Sequence, residues 1–174
     1  EIAEAADFSR GTVFNYFPTK GHLLYAIAAD EMETLNRLVA GMDAIPSAVE
    51  KIRRVMRLFV ADTVPFLQIT HRVLLETLMH PTEIPSPVVY LERILTGLVE
   101  EAQAQGEVRD DLDPANVARA VVGVYLAAFF RWISAEGGKQ SDCPRGNDEV
   151  ASMVDMLFDG IAGPNYVTDH KEVT

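Results

Sequence analysis

A lone cysteine, Cys143, sits in a polar stretch with no possible partner, so a disulfide framework is excluded and a reducing compartment, the cytoplasm, is the natural setting. Cations are also scarce: 15 Lys and Arg stand against 26 Asp and Glu, a formal net charge of -11. A protein that coats nucleic acid non-specifically relies on many phosphate contacts, so any contact with DNA here has to be local. Within Glu1 to His22 the acids Glu1, Glu4 and Asp7 nearly balance Arg10 and Lys20, whereas the chain from Gln140 onward is acidic. No basic segment followed by an apolar run and a small-residue cleavage site opens the sequence. Long apolar runs are missing too: in the most hydrophobic stretch, Val117 to Ile133, Arg119 and Arg131 leave only Ala120 to Phe130 uninterrupted. A bilayer span needs about 18 residues, so a buried helix and no membrane partner are expected.

Nor is there a convincing period-2 strand pattern; the fold class expected is all-α. Glu1 to Ala6 and Ser9 to Phe17 are predicted as two short helices broken at Asp7 and Phe8. A third runs from an N-cap at Thr19 to Ala40, ahead of Gly41. Ser47 with Glu50 has the form of a capping box and opens a helix to about Val64; Pro65 then sits in the first turn of a helix reaching His80. Pro81 to Pro87 reads as a loop, Ser86 caps a helix that Gly106 ends, and Asp113 with Pro114 launches the apolar helix to about Ala135. Gly137 to Asn147 is a second loop. The last helix, about Asp148 to Ile161, carries an amphipathic stripe of Val150, Met153, Val154, Leu157, Phe158 and Ile161.

At 100° per residue, Val13 and Phe17 fall within about 40° of each other and should anchor the helix Ser9 to Phe17 from beneath. The opposite side presents Asn15 at its centre, Gly11 and Thr12 within about 60°, and Tyr16 at the edge. These are residue types that read a DNA groove. Asn pairs bidentately with adenine, the hydroxyls of Thr12 and Tyr16 reach phosphate oxygens, and Phe14 at the flank can touch a thymine methyl. Gly11 costs roughly 0.5–1 kcal/mol of helix propensity relative to alanine, a cost that close backbone approach to a partner would explain.

The run from Ile2 to Leu24, IAEAADFSRGTVFNYFPTKGHLL, closely resembles the signature of the tetracycline-repressor (TetR) family, matching about a dozen of its positions. Three departures stand out: Asp7 in place of the usual turn glycine, Gly21 in place of an acid after the lysine, and Phe14 in place of the common tyrosine. Asp is among the few residues that tolerate positive φ, so the turn should survive. The family's first helix and basic N-terminal arm have no counterpart ahead of Glu1, and the numbering is expected to begin part-way into the native protein. The resemblance implies that Ser9, Thr12, Tyr16 and Lys20 hold the DNA backbone while Arg10, Gly11, Phe14 and Asn15 face bases. It also implies a ligand-responsive transcriptional regulator, a repressor binding a pseudo-palindromic double-stranded DNA operator as a homodimer. Residues 1–41 would form the helix-turn-helix region and connecting helix, 42–164 a helical-bundle ligand-binding and dimerisation domain, and 165–174 a flexible tail. The alternative is an all-helical small-molecule-binding or enzymatic protein with a degenerate helix-turn-helix, favoured only by the acidic balance.

In the body, the helix Val117 to Ile133 is apolar on every side and needs covering from two directions, one of them a second subunit. Val121, Val124, Met153, Leu157, Phe158 and Ile161 are the candidate interface residues. By resemblance, a cavity for a small-molecule inducer lies among the middle helices; Phe59, Phe66, His71, Met79, Tyr90, Tyr125, Phe129 and Trp132 are its candidate lining by character. His71 and Trp132 could each bring a polar atom to an apolar cavity. Catalytic, metal and cofactor sites are not expected: on one helix His71 and His80 point about 180° apart, and Glu76 with His80 falls short of the three or four ligands of a zinc site. The basic run Lys51, Arg53, Arg54 and Arg57 reads as a solvated helix face.

Overall fold

Helix starts in this chain are written by short side chains that satisfy orphan backbone donors, each worth about 1 kcal/mol. In the computed structural model, which describes residue 7 and residues 9–79, 86–136 and 146–160, Ser9 accepts from the Thr12 amide, Thr19 from His22, Ser47 from Glu50 and Ser86 from Val89. The helices that follow are α1 Arg10–Tyr16, α2 Lys20–Ala40, α3 Ala48–Thr63, α4 Leu67–Met79, α5 Pro87–Ala104, α6 Pro114–Glu136 and α7 Gly146–Asp159. Among the described residues there is no strand, and the all-α expectation holds. Asp7 does adopt positive φ, 57°, where the turn requires it. The expected short helix at 1–6, the parts of the expected loops at 81–85 and 137–145, His80, Cys143, Ile161 and the expected flexible tail 165–174 lie outside the described residues.

Two local expectations are refined. Pro65 does not enter the next helix; Val64–Phe66 forms a separate 3-10 turn between α3 and α4. The capping box at Ser47 is only half made, because the Glu50 carboxylate turns to Arg57 (3.1 Å) instead of back to the helix start. The other orphan donors at the start of α3 are met from far along the chain. Gln105 Oε1 accepts from the Ala48 amide (3.0 Å) and a Glu107 carboxylate oxygen from the Val49 amide (2.9 Å). That amide, foremost, holds the Glu107 carboxyl below its ordinary range. Gly106 stands between the two at φ 74°, the left-handed conformation that ends α5 and aims both side chains at α3.

The core lies between α3, α5, α6 and α7. Ile52, Val55, Met56 and Phe59 from α3 meet Leu91, Leu95 and Val99 from α5, Val121, Val122, Tyr125 and Phe129 from α6, and Val150 and Val154 from α7. The basic run of α3 is not simply a solvated face. Lys51 pairs with Glu101 of α5 at 2.7 Å, and Arg53 pairs with Asp155 and Asp159 of α7 at 2.7 and 3.0 Å. Part-buried pairs of this kind combine a Coulombic gain with a desolvation cost, so their clearest effect is to fix the register of α5 and α7 on α3.

Two stretches, Ala48–Thr77 and Pro114–Ser134, reach the length and mean hydropathy of a membrane span, against the expectation drawn from the interruptions at Arg119 and Arg131. Their context explains the composition. The first is broken by the 3-10 turn and carries Lys51, Arg53, Arg54 and Arg57, and the second buries Val121, Val122, Tyr125 and Phe129 among its neighbours. α3 and α6 thus each turn one apolar face into the core of the bundle.

Candidate functional site

α1 is short, seven residues, and the Ser9 cap defines its start. Ser9 Oγ accepts from the Thr12 amide at 3.1 Å and shares a hydrogen bond with Thr12 Oγ1 at 2.8 Å. One hydroxyl hydrogen is used between them, which leaves the other for an outside acceptor such as a phosphate oxygen. Gly11, Phe14, Asn15 and Tyr16 are all exposed, Phe14 at 64% and Tyr16 at 77%, while Val13 and Phe17 are half-buried beneath. The outward face is therefore the one the helical wheel selects. A methyl group at Gly11 would meet nothing closer than Ser9 Oγ at 3.8 Å, so nothing among the described residues demands glycine there. Thr12 is half-buried. Arg10 and Lys20 occupy the first positions of α1 and α2, and their side chains lie outside what is described.

α2 carries this unit to the body. At 1.5 Å per residue its 21 residues span about 30 Å. Near its start Leu24, Ile27 and Ala28 pack on Val73 of α4, and near its end Leu35 enters the main core. Asn36 Oδ1 accepts from the Tyr90 hydroxyl of α5 at 2.6 Å, which ties α2 to the bundle.

Between these attachments lies a cleft of about 300 Å³. α2 contributes Ile27, Asp30, Glu31, Thr34 and Leu35, α3 contributes Phe59 and Asp62, and Phe66, Ile69, Thr70 and Val73 close it from the 3-10 turn and α4. No Lys, Arg or His lines it among the described residues. Burial, first, and the neighbouring Asp62, second, push the Glu31 carboxyl up to about 7. Behind Phe59 stands Tyr125, ring to ring at 5.0 Å and edge-on, with its hydroxyl 3.5 Å from Thr63 Oγ1. Burial above all, with a smaller push from Glu31, raises that hydroxyl well above the usual phenol range.

Of the eight residues predicted to touch a ligand, Phe59 and Phe66 line this cleft. The other six are placed elsewhere. Tyr125 and Phe129 are packed core, and the Trp132 indole donates to Glu149 Oε2 at 3.0 Å. Tyr90 is held by Asn36 and lies under the Arg93 guanidinium, 4.6 Å from its ring. Met79 is three-quarters exposed, and half-buried His71 is not part of the lining. Sequence reasoning missed Glu31, although a signal for it existed. Leu24, Ile27, Ala28, Leu35 and Leu38 form one stripe of α2 about 100° wide, and Glu31 falls inside it, a carboxylate at a core position. A second, more open cleft of about 870 Å³ lies at the other end of the body, along the 107–113 loop and the ends of α6 and α7.

The candidate subunit face also divides. Val121 is 1% exposed and serves the chain's own core, and Phe158 packs inward with Arg53 over its ring at 6.0 Å. Val124 and Met153 are half-buried and Leu157 is exposed. Val121 is thereby corrected from an interface residue to an internal one: periodicity marks α6 as apolar all round but not which flank faces in. The outer flank of α6 exposes Ala120, Gly123, Ala127 and Phe130 alongside Asn116, Arg119, Arg131 and Ser134, with Met156 and Leu157 exposed on α7.

The helix order, the short exposed α1 and the long connecting α2 together define the class: the chain has the all-helical fold of TetR-family transcriptional regulators. Among solved structures it is similar to the TetR-family regulator PfmR of Thermus thermophilus, with TM-score 0.69 and 18% identity over 93% of this chain and 87% of that one. It is also similar to the Thermus thermophilus repressor FadR in complex with lauroyl-CoA, with TM-score 0.62 and 24% identity over 95% and 85% of the two chains. A Syntrophomonas wolfei protein assigned to the same family gives 0.71 and 15% over 94% and 85%. No family model and no curated protein matches the sequence.

Proposed function

We propose that the chain is a ligand-responsive DNA-binding transcriptional regulator that acts as a homodimer on a two-fold operator. The observation that carries this reading is the surface of α1, where Gly11, Asn15, Tyr16 and Phe14 are presented outward on a helix held by the Ser9 cap. Asn15 is the base-reading residue, with Arg10 and Phe14 facing bases beside it and Gly11 allowing close approach, and Ser9, Thr12, Tyr16 and Lys20 hold phosphates. The outer flank of α6 and the exposed end of α7 pair with their two-fold mates, which sets two copies of α1 about 34 Å apart. An effector in the cleft touches α2, the helix that carries α1, so occupancy changes that spacing. For this to work the effector has to bind the DNA-incompetent arrangement better than the competent one, because equal affinity would shift nothing. The lauroyl-CoA bound to FadR supports a small-molecule effector in this architecture. That the three similar structures are all of transcriptional regulators favours this reading over an enzymatic one.

Fluorescence anisotropy with the DNA upstream of the protein's own gene tests it. Binding should weaken steeply with salt, and Asn15→Ala should cost about 1–3 kcal/mol against the preferred sequence while leaving non-specific binding unchanged. Salt-independent binding, or equal loss on all sequences, would remove Asn15 from the reading role.

A further inference from the structure

We propose that the cleft between α2, α3, the 3-10 turn and α4 takes a small organic cation with an apolar or aromatic body, and that this is the effector of the regulator proposed above, on which reading the inference rests. The charge of the lining is of one sign. Asp30 and Glu31 face the cleft from α2 and Asp62 from α3; the 3-10 turn and α4 contribute Phe66, Ile69, Thr70 and Val73, none of them ionisable. Tyr125 of α6 is a further titratable group that interacts with Glu31, and it stands behind Phe59 with its hydroxyl toward Thr63. Glu31 and Asp62 have no cationic side chain among the described cleft residues to neutralise them. The apolar side chains Ile27, Leu35, Ile69 and Val73 suit a hydrocarbon body, and the rings of Phe59 and Phe66 suit an onium or aromatic group by cation–π attraction. An anionic ligand, including a phosphate-bearing one such as an acyl-CoA, would meet three carboxylates and no counter-charge.

Glu31 gives the site a second property. Its carboxyl, raised to about 7 by burial and by Asp62, is neutral at mildly acidic pH, and a bound cation would draw it into its charged form. Binding is therefore coupled to proton release, and affinity for a permanent cation rises with pH through neutrality.

The test is isothermal titration of the full chain with benzyltrimethylammonium, with benzyl alcohol as the uncharged arm and phenylacetate and lauroyl-CoA as the anionic arms. Benzyltrimethylammonium is expected to bind at least about tenfold more tightly than benzyl alcohol, with affinity increasing several-fold between about pH 6 and pH 8. The anions should show no binding in the cleft. Glu31→Gln and, separately, Asp62→Asn should each weaken the cation about tenfold or more, and Glu31→Gln should also flatten the pH dependence. Tighter binding of either anion, no preference for the cation, or a cation affinity that both variants leave unchanged overturns the inference. Anisotropy with operator DNA on the ligand-free protein separates the two claims: DNA binding without cation binding sinks only the ligand class, and cation binding without DNA binding sinks the regulator.

Discussion

Phe129→Ala is expected to cost the fold about 3–5 kcal/mol, the range for emptying a large aromatic site in a core. The side chain is fully buried, with Tyr125 at 5.7 Å and Phe130 at 5.9 Å from its ring centre, and Tyr125 in turn supports Phe59. Removing it loses both the transfer free energy of the ring and the contacts of the atoms lining the void, because a helix fixed by neighbours on two sides cannot collapse inward. A domain of this size has roughly 5–15 kcal/mol in hand, and 1 kcal/mol moves its melting temperature by about 2–4 °C. Thermal unfolding should therefore show a drop on the order of 10 °C. A change within a degree or two would mean that α6 is not packed as described. The same substitution should loosen the Phe59 wall of the cleft through Tyr125, linking a residue outside the cleft to ligand affinity.

Glu31→Gln is expected to act in the opposite direction and only on one side of neutrality. In the unfolded chain the carboxyl titrates at its ordinary value, 4.5, whereas burial and Asp62 raise it to about 7 in the fold. Between these values the folded state holds a proton that the unfolded state has lost, so the stability present below the lower value is progressively lost as pH rises through the upper one. At about 1.36 kcal/mol per unit the full shift would cost roughly 3 kcal/mol above pH 7, and because water reaches part of the group the expected cost is lower, on the order of 2 kcal/mol. The neutral amide imitates the protonated acid. Urea unfolding should give variant and parent nearly equal stability near pH 5 and a clearly more stable variant near pH 8. Equal stability at both would place Glu31 in water rather than in the cleft. In the regulator proposed above, such a carboxylate would retain strain that a bound cation relieves, giving an occupant a reason to favour one arrangement of α2 over another.

Cap chemistry and wheel geometry are legible in the sequence because both are local. Thr19, Ser47 and Ser86 each start the expected helix, Gly106 ends one, and Asp7 takes the turn conformation on its own conformational tolerance. The outward face of α1 follows from one short stretch, Ser9 to Phe17. What stays hidden depends on partners distant along the chain. Trp132 has the look of a polar handle for a ligand, but its indole is spent on Glu149, as the Tyr90 hydroxyl is on Asn36. Val121 and the exposed Ala120, Gly123 and Ala127 belong to one apolar helix, and only packing against α5 and α7 decides which flank turns inward. Aromatic residues of the body are the natural lining to expect for a ligand site, yet nearly half of the cleft comes from α2, which reads as a connector. A charge inside an apolar stripe is the better guide.

Hydroxyl-radical footprinting of the protein, as its gene encodes it, on the upstream DNA of that gene addresses the central claim most directly. Two protected patches related by a two-fold axis, with centres about one helical turn apart and both lost in a variant carrying Asn15→Ala and Tyr16→Ala, are the predicted result. Uniform or absent protection, or a footprint that survives those changes at α1, would contradict it.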